Sequence, residues 1–78
     1  MPVFDDVIPN AYNYATSGTY TAWMPLKVGT VNVMLATSGD KFGGSVGPAM
    51  MLSYAVNPGG AYTVVVGTAA AAQVLVGW

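Results

Sequence analysis

The chain has 78 residues, of which 54% are hydrophobic and 6% are charged, whereas roughly a quarter of an ordinary soluble domain is charged. This composition excludes a disordered chain, and two lysines without an arginine exclude the basic surface of a nucleic-acid-binding protein. The absence of cysteine and histidine from the sequence excludes disulfides and any Ser–His or Cys–His nucleophile.

Residues 1–10 are predicted to form an extended N-terminal arm, and residues 11–78 a single β domain. The arm contains Asp5 and Asp6 but no basic segment followed by an apolar one, so no secretory signal is predicted. Four large apolar residues follow Met1 and Pro2 in the arm, namely Val3, Phe4, Val7 and Ile8. Because termini are ordered only where something holds them, we expect these residues to pack on the domain's own core or on a neighbouring subunit.

The first two strands are predicted in residues 11–16 and 19–24, where apolar and polar residues alternate. Tyr12 and Tyr14 would share one face of the first strand. Trp23 would lie on the face of the second strand opposite to Tyr20. Pro25 either ends the second strand or places it at the edge of a sheet, because proline cannot donate a ladder hydrogen bond.

The clearest strand pattern covers residues 27–36. Val31, Val33 and Leu35 alternate with mainly polar neighbours, and a period of two with β-branched residues is typical of a strand with one buried face. Glycine, serine and two charged residues then mark residues 37–47 as a loop.

Two further strands are predicted in residues 48–56 and 61–66. They flank the sequence Asn-Pro-Gly-Gly at 57–60, which is a strong turn former. The positions of Tyr54 and Tyr62 on either side of this turn suggest a β-hairpin.

The last strand is predicted in residues 73–78, with Val74, Val76 and Trp78 on one face. The alanine-rich residues 68–72 before it are predicted to be a connector or the start of this strand, because five residues are too few for a stable helix.

Together these segments predict an all-β fold, namely a small antiparallel β-sandwich or barrel of five to six strands. A domain of this size has a small core and needs a disulfide, a metal or a partner to stabilise it. Because the chain has no cysteine or histidine, the remaining way to stabilise the domain is oligomerisation or docking on a larger surface. Strands with so few charges also favour association through their edges, so we expect a homo-oligomer, either a dimer or a trimer.

No combination of residues predicts catalysis, and we expect that the protein is not an enzyme and binds no cofactor. Asp5 and Asp6 are adjacent and would point to opposite sides of an extended chain. Together with Asp40 they are too few acids to predict a metal site. The G-G-x-x-G spacing formed by Gly43, Gly44 and Gly47 lacks the Gly-Lys-Ser/Thr that ends a phosphate-binding loop, and no helix is predicted after it.

The chain has five tyrosines and two tryptophans, many aromatic residues for its length. Such side chains could stack on sugars or bases, but packing in cores and interfaces is their more common role. The predicted protein interface comprises Val3, Phe4, Val7, Ile8, Tyr12, Trp23 and Trp78. We expect Trp78 in particular either at a subunit contact or closing the core.

Residues 61–78 are uncharged, which raises the alternative of a membrane-associated protein. Thr63, Gly67 and Gln73 interrupt this segment, and valine is frequent in it, whereas a membrane-spanning helix needs about 20 predominantly apolar residues. We therefore expect no membrane contact.

Four stretches carry a resemblance to a known class of proteins. They are TVNVMLATSG at 30–39, FGG at 42–44, MLSYAVNPGGAY at 51–62 and QVLVG at 73–77. Together these stretches resemble small β-sandwich virion proteins of tailed bacteriophages. The shared features are a strand that ends in Ser-Gly, a glycine loop, a strand with Leu-x-Tyr, a glycine turn before an aromatic residue and a valine-rich last strand. The turn here is Asn-Pro-Gly-Gly, where Asp-Gly is common in that pattern.

The resemblance implies a structural protein of the virion, assembled in the host cytoplasm. Its partners would be the major capsid protein or other virion subunits. Our first expectation is a capsid decoration or cement protein, which binds the shell and copies of itself. The alternative is a tail, fibre or spike module that contacts a receptor or glycan. The resemblance transfers no catalytic or binding residue.

Overall fold

The computed structural model describes residues 10–78. Residues 1–9, which form most of the predicted arm, lie outside the described residues, and so do the predicted interface residues Val3, Phe4, Val7 and Ile8. At the start of the described chain, the carbonyl oxygen of Asn10 accepts a hydrogen bond from the backbone N–H of Trp78 at 3.0 Å. The first and last described residues are therefore adjacent.

Residues 10–78 form eight β-strands and no helix. In chain order the strands are β1 (Ala11–Tyr14), β2 (Gly18–Trp23), β3 (Thr30–Leu35), β4 (Lys41–Phe42), β5 (Ser45–Val46), β6 (Ala49–Ala55), β7 (Ala61–Val66) and β8 (Val74–Gly77). One antiparallel sheet has the strand order β1-β8-β3-β6, and the other has the order β2-β7-β4-β5. The predicted all-β sandwich is confirmed, with eight strands instead of five or six.

The two additional strands, β4 and β5, lie within residues 37–47, which were predicted to be a loop. Lys41 pairs with Val46 and Phe42 with Ser45, so the two residues between them close a tight hairpin. The first of these, Gly43, has a φ of 56°, a conformation that favours glycine and that a type II′ hairpin turn requires at this position. Strands of two residues are too short to show a period of two in the sequence.

The alternating patterns in the longer strands are confirmed. Val31, Val33 and Leu35 of β3 are buried, and so are Val74 and Val76 of β8. Side chains from both sheets form one hydrophobic cluster between them, as expected when each sheet has one apolar face.

The predicted hairpin between residues 48–56 and 61–66 is wrong. β6 pairs with β3, whereas β7 pairs with β2 and β4 in the opposite sheet. The connection crosses between the sheets because its ends bond to the loop before β3: Met24 N–H donates to the Gly60 carbonyl at 2.9 Å, and Val56 N–H donates to the Gly29 carbonyl at 3.0 Å.

An aromatic group closes one side of the sandwich. Phe42 of β4 is fully buried, and its ring lies 5.1 Å from that of Tyr54 and 5.6 Å from that of Tyr62. The two tyrosine rings are 6.1 Å apart in an edge-to-face arrangement, a favourable geometry for aromatic pairs. Tyr54 and Tyr62 therefore do meet, but across the two sheets and not within a hairpin.

Charged residues are almost absent from the strands. The edge strands are β1 and β6 in one sheet and β2 and β5 in the other, and none of these four carries a charged residue. Among the described strands only β4 has one, Lys41. Natural sheets commonly protect their edges with charged side chains, and these four edge strands lack that protection.

Candidate functional site

Three residues of the predicted interface meet at one end of the sandwich. The Tyr12 hydroxyl donates to the carbonyl oxygen of Trp23 at 2.7 Å, and the Tyr12 ring lies 5.1 Å from the ring of Trp78. The backbone N–H of Trp78 donates a hydrogen bond to the carbonyl oxygen of Asn10, the last residue of the predicted arm. We call this end, formed by Asn10, Tyr12, Trp23 and Trp78 with the adjoining loop 24–29, the arm end.

The alternation of the strands determines which of these side chains are exposed. Tyr12 pairs with Val76 of β8 and points inward, where it is half-buried. In β2, Ala22 is buried, and Met24 after the strand is also buried. Trp23 lies between them and must point outward, so its side chain is 41% exposed.

A row of aromatic rings extends from the arm end along the side where β1 faces β2. Tyr12 is 6.1 Å from Tyr14, and Tyr14 is 5.0 Å from Tyr20, both in tilted arrangements. Burial raises the pKa of Tyr12 above its ordinary value of 10.0, and burial together with the charge on Tyr12 raises the pKa of Tyr14. Burial thus favours the protonated form of the Tyr12 hydroxyl, which is the form that donates to Trp23.

Replacing Tyr12 with phenylalanine is expected to lower the free energy of unfolding by about 1 kcal/mol, the usual net value of one hydrogen bond. Urea denaturation measures this difference. Tyr14→Phe is the matched control, since within residues 10–78 the Tyr14 hydroxyl makes no side-chain hydrogen bond. Equal losses in both variants would show that the bond to Trp23 does not stabilise the arm end.

The loop 24–29 presents two residues that the sequence did not single out. Leu26 is 43% exposed, and Lys27 beside it is also exposed. Pro25 fixes this loop, because its carbonyl oxygen accepts hydrogen bonds from Val28 N–H and Gly59 N–H, both at 3.3 Å. In the sequence, the loop was indicated only by the end of the alternation of apolar and polar residues after Pro25.

Two further exposed large apolar side chains lie on the opposite side, at the edges formed by β5 and β6. Val46 of β5 is 59% exposed and Met51 of β6 is 55% exposed. Each occupies an edge strand without charge, so apolar contact and backbone pairing are both open to a partner there.

Asp40 is the one acid within residues 10–78, and it is fully buried with 0% exposure. Its Oδ1 accepts from Gly67 N–H at 2.8 Å, and its Oδ2 accepts from Thr37 N–H at 2.9 Å and from Gln73 N–H at 3.3 Å. We call these four residues the Asp40 clasp. It joins the end of β3, the end of β7 and the start of β8.

Two opposing effects set the pKa of the Asp40 carboxyl. Burial raises this pKa, but the backbone N–H groups of Gly67, Thr37 and Gln73 outweigh burial and bring it below the ordinary value of 3.8. The Thr37 hydroxyl also favours the charged form, although its oxygen is buried without a well-formed hydrogen bond to the described residues. Because its oxygens accept hydrogen bonds from backbone N–H groups, the Asp40 carboxylate stabilises the fold.

The tyrosines offer little surface for stacking on a glycan. All five are half-buried. Tyr12 and Tyr20 donate to backbone carbonyls, and the hydroxyls of Tyr54 and Tyr62 accept from the N–H groups of Gly44 and Asn57. Four of the five tyrosine hydroxyls are therefore engaged in hydrogen bonds within residues 10–78.

No group of three or more potential metal-ligating acids, histidines or cysteines occurs within residues 10–78. The same part of the chain contains no helix that is long and apolar enough to cross a membrane. Comparison of the chain with protein-family models, curated proteins and solved structures finds no match.

Proposed function

We propose that this protein is a non-enzymatic structural protein of a virion, a capsid decoration or cement subunit that binds the shell and copies of itself. The observation that carries the proposal is the absence of charge from all four edge strands. Exposed apolar side chains on two of them, Val46 and Met51, support it further. A protein that works as an isolated monomer would be expected to protect such edges.

The size of the domain supports the same role. Its core consists mainly of valine and alanine with a few larger residues such as Phe42, Met24 and Leu35, and a single core of this size gives little stability. Burial of edges and exposed apolar groups against a shell would add to that stability by mass action. The resemblance of residues 30–77 to phage virion proteins directs the proposal to a capsid.

The proposed partners are the major capsid protein and further copies of the chain, and the proposed location is the virion. The predicted arm would extend the contact beyond the sandwich, because its four apolar residues can cover a neighbouring surface. This role requires no cofactor and no chemical step.

Copy number is the experiment that tests the proposal. Particles that contain this protein are purified, and it is quantified against the major shell protein by mass spectrometry. Hundreds of copies in a simple ratio to the shell would support a cement protein. A handful of copies would instead indicate a tail, fibre or spike module, and absence from particles would overturn the virion role.

Deleting residues 1–8 is expected to weaken binding to purified shells at least about tenfold, because the apolar side chains of the arm would no longer be buried on the shell or on a neighbouring copy bound to it, and burial of each large one contributes about 1.5–3 kcal/mol. Shell binding is measured by co-sedimentation, and circular dichroism confirms that the β-spectrum is retained. A second variant with serine at the four apolar positions, Val3, Phe4, Val7 and Ile8, keeps the length and charge of the arm. If both variants bind as tightly as the natural protein, the arm does not hold the shell.

A further inference from the structure

The charges of this chain are divided between its two parts. Within residues 10–78 the charged residues are Lys27, Asp40 and Lys41. Asp40 is buried, so both exposed charged side chains of the sandwich are positive. The remaining acids, Asp5 and Asp6, belong to the arm. The charged side chains of the arm and those exposed on the sandwich are therefore opposite in sign.

One of the two lysines lies beside the exposed apolar groups of the arm end. Trp23, Leu26 and Lys27 occur within five consecutive residues, and each is exposed. The backbone of this segment is held by bonds to Gly59 and Gly60 at the neighbouring turn. We call these three residues the Trp23–Lys27 patch: two exposed apolar side chains and one exposed lysine, close together in sequence, at the end of β2 and in the loop that follows it.

The sequence of the arm matches this patch in chemistry. In an extended chain, successive side chains point to opposite sides. Phe4, Asp6 and Ile8 would then share one side of the arm, whereas Val3, Asp5 and Val7 would share the other. Either side presents two apolar residues with an acid between them, so either can cover an apolar patch while placing a carboxylate near a lysine.

We propose that the Trp23–Lys27 patch binds residues 1–9 of a second copy of this chain, with arm carboxylates facing Lys27 and arm apolar side chains covering Trp23 and Leu26. The inference does not depend on the proposed virion function, because it concerns two copies of the protein alone.

The position of the arm favours a second copy over the same chain. β1 starts at the arm end and runs away from it, since Ala11 lies opposite Gly77 at the end of β8 and Tyr14 lies opposite Val74 at its start. The chain before Asn10 is thus attached at the arm end, which also carries the Trp23–Lys27 patch. Two copies that meet arm end to arm end can each give an arm and receive one, as a twofold interface requires.

Sedimentation equilibrium of the full chain over a range of concentrations tests this exchange. The natural protein is expected to form dimers, and Lys27→Asp is expected to weaken dimerisation about tenfold or more, because it places like charges together. Lys41→Asp is the matched control: it makes the same change in net charge at an exposed lysine of β4, away from the arm end, and should leave the dimer unchanged. Circular dichroism confirms that each variant is folded.

Charge exchange provides the more specific test. Asp5→Lys with Asp6→Lys should weaken the dimer, and adding Lys27→Asp to that pair should restore most of the affinity. Restoration would support the contact. A monomer at every concentration, equal effects of Lys27→Asp and Lys41→Asp, or a dimer that persists without residues 1–8 would each overturn it. If the combined charge changes instead restore the thermal stability of a monomer, the arm binds the patch of its own chain. That result would also overturn the proposed exchange of arms between two copies. Shell binding is absent from this assay, so its outcome leaves the virion role to be judged separately.

Discussion

Replacing Asp40 with alanine is expected to lower the free energy of unfolding by about 3 kcal/mol or more, because a buried donor left without a partner costs about 1–3 kcal/mol. Three backbone N–H groups, those of Thr37, Gly67 and Gln73, depend on this carboxylate. Small domains lie near the lower limit of protein stability, about 5 kcal/mol. Urea denaturation should therefore show an early midpoint or a population that is already unfolded without urea.

Two further variants separate the carboxylate from the loop in which it lies. Ser38→Ala changes an exposed neighbour in the same loop and should alter stability by less than about 0.5 kcal/mol. Asp40→Asn keeps the shape but replaces one acceptor oxygen with a donor that faces N–H groups, so its stability should lie between those of the alanine variant and the natural protein. An alanine variant as stable as Ser38→Ala would show that the clasp contributes little.

The same carboxylate predicts how stability changes with pH. Because the pKa of Asp40 is lower in the folded state than its ordinary value of 3.8, the unfolded chain binds more protons than the folded one at acidic pH. The stabilisation is thus fully present above about pH 5 and is lost as the pH falls through the folded-state pKa. The slope of unfolding free energy against pH below 4 should be smaller in Asp40→Asn than in the natural protein, when both are measured in urea.

The strands could be predicted from the sequence wherever one face of a strand is buried. In β3 and β8 the buried positions alternate along the chain, so side-chain chemistry alone shows the period. The partner of each strand could not be predicted in this way. β6 and β7 are consecutive and flank a strong turn, yet they belong to different sheets. That outcome depends on hydrogen bonds from Met24 and Val56 to distant backbone groups.

The residues of the candidate site also divide into those that the sequence indicates and those that only the folded structure brings together. Tyr12, Trp23 and Trp78 could be selected from the sequence because large aromatic residues dominate the energetics of interfaces, and the fold brings them to one end. Leu26 and Lys27 were missed because exposure in a loop has no sequence period. Asp40 was missed because its partners are backbone groups at positions 67 and 73, which become neighbours only after the two sheets form.

The clasp and the arm end lie at opposite ends of the sandwich, which allows folding and association to be tested separately. Asp40 bonds to Gly67 and Gln73, where β7 ends and β8 begins. The arm end lies where β7 begins and β8 ends, since Trp23 pairs with Ala61 and Trp78 follows β8. Substitutions in the clasp should change stability at any protein concentration, whereas substitutions at Lys27 should act only where copies meet.

The second large effect is expected from Gly47→Ala. A Cβ atom at this position would lie 2.3 Å from the Thr37 carbonyl oxygen and 3.1 Å from Leu35 Cβ, and the first of these atoms belongs to the backbone of the clasp. The Gly47 N–H also donates to the Asp40 carbonyl at 2.9 Å. Because neither segment can move without disturbing the clasp, the variant should lose about 3 kcal/mol of stability through overpacking.

Gly44→Ala is the matched control, three residues earlier in the same segment. A Cβ atom there would meet nothing within 4 Å, and its φ is not positive, so alanine should fit without strain and change stability by less than about 0.5 kcal/mol. Thermal denaturation followed by circular dichroism compares the two variants with the natural protein. Similar midpoints for the two variants would mean that residues 35–37 can shift to make room for the added methyl group. The close contact at Gly47 would then not be required to keep this loop packed against β3.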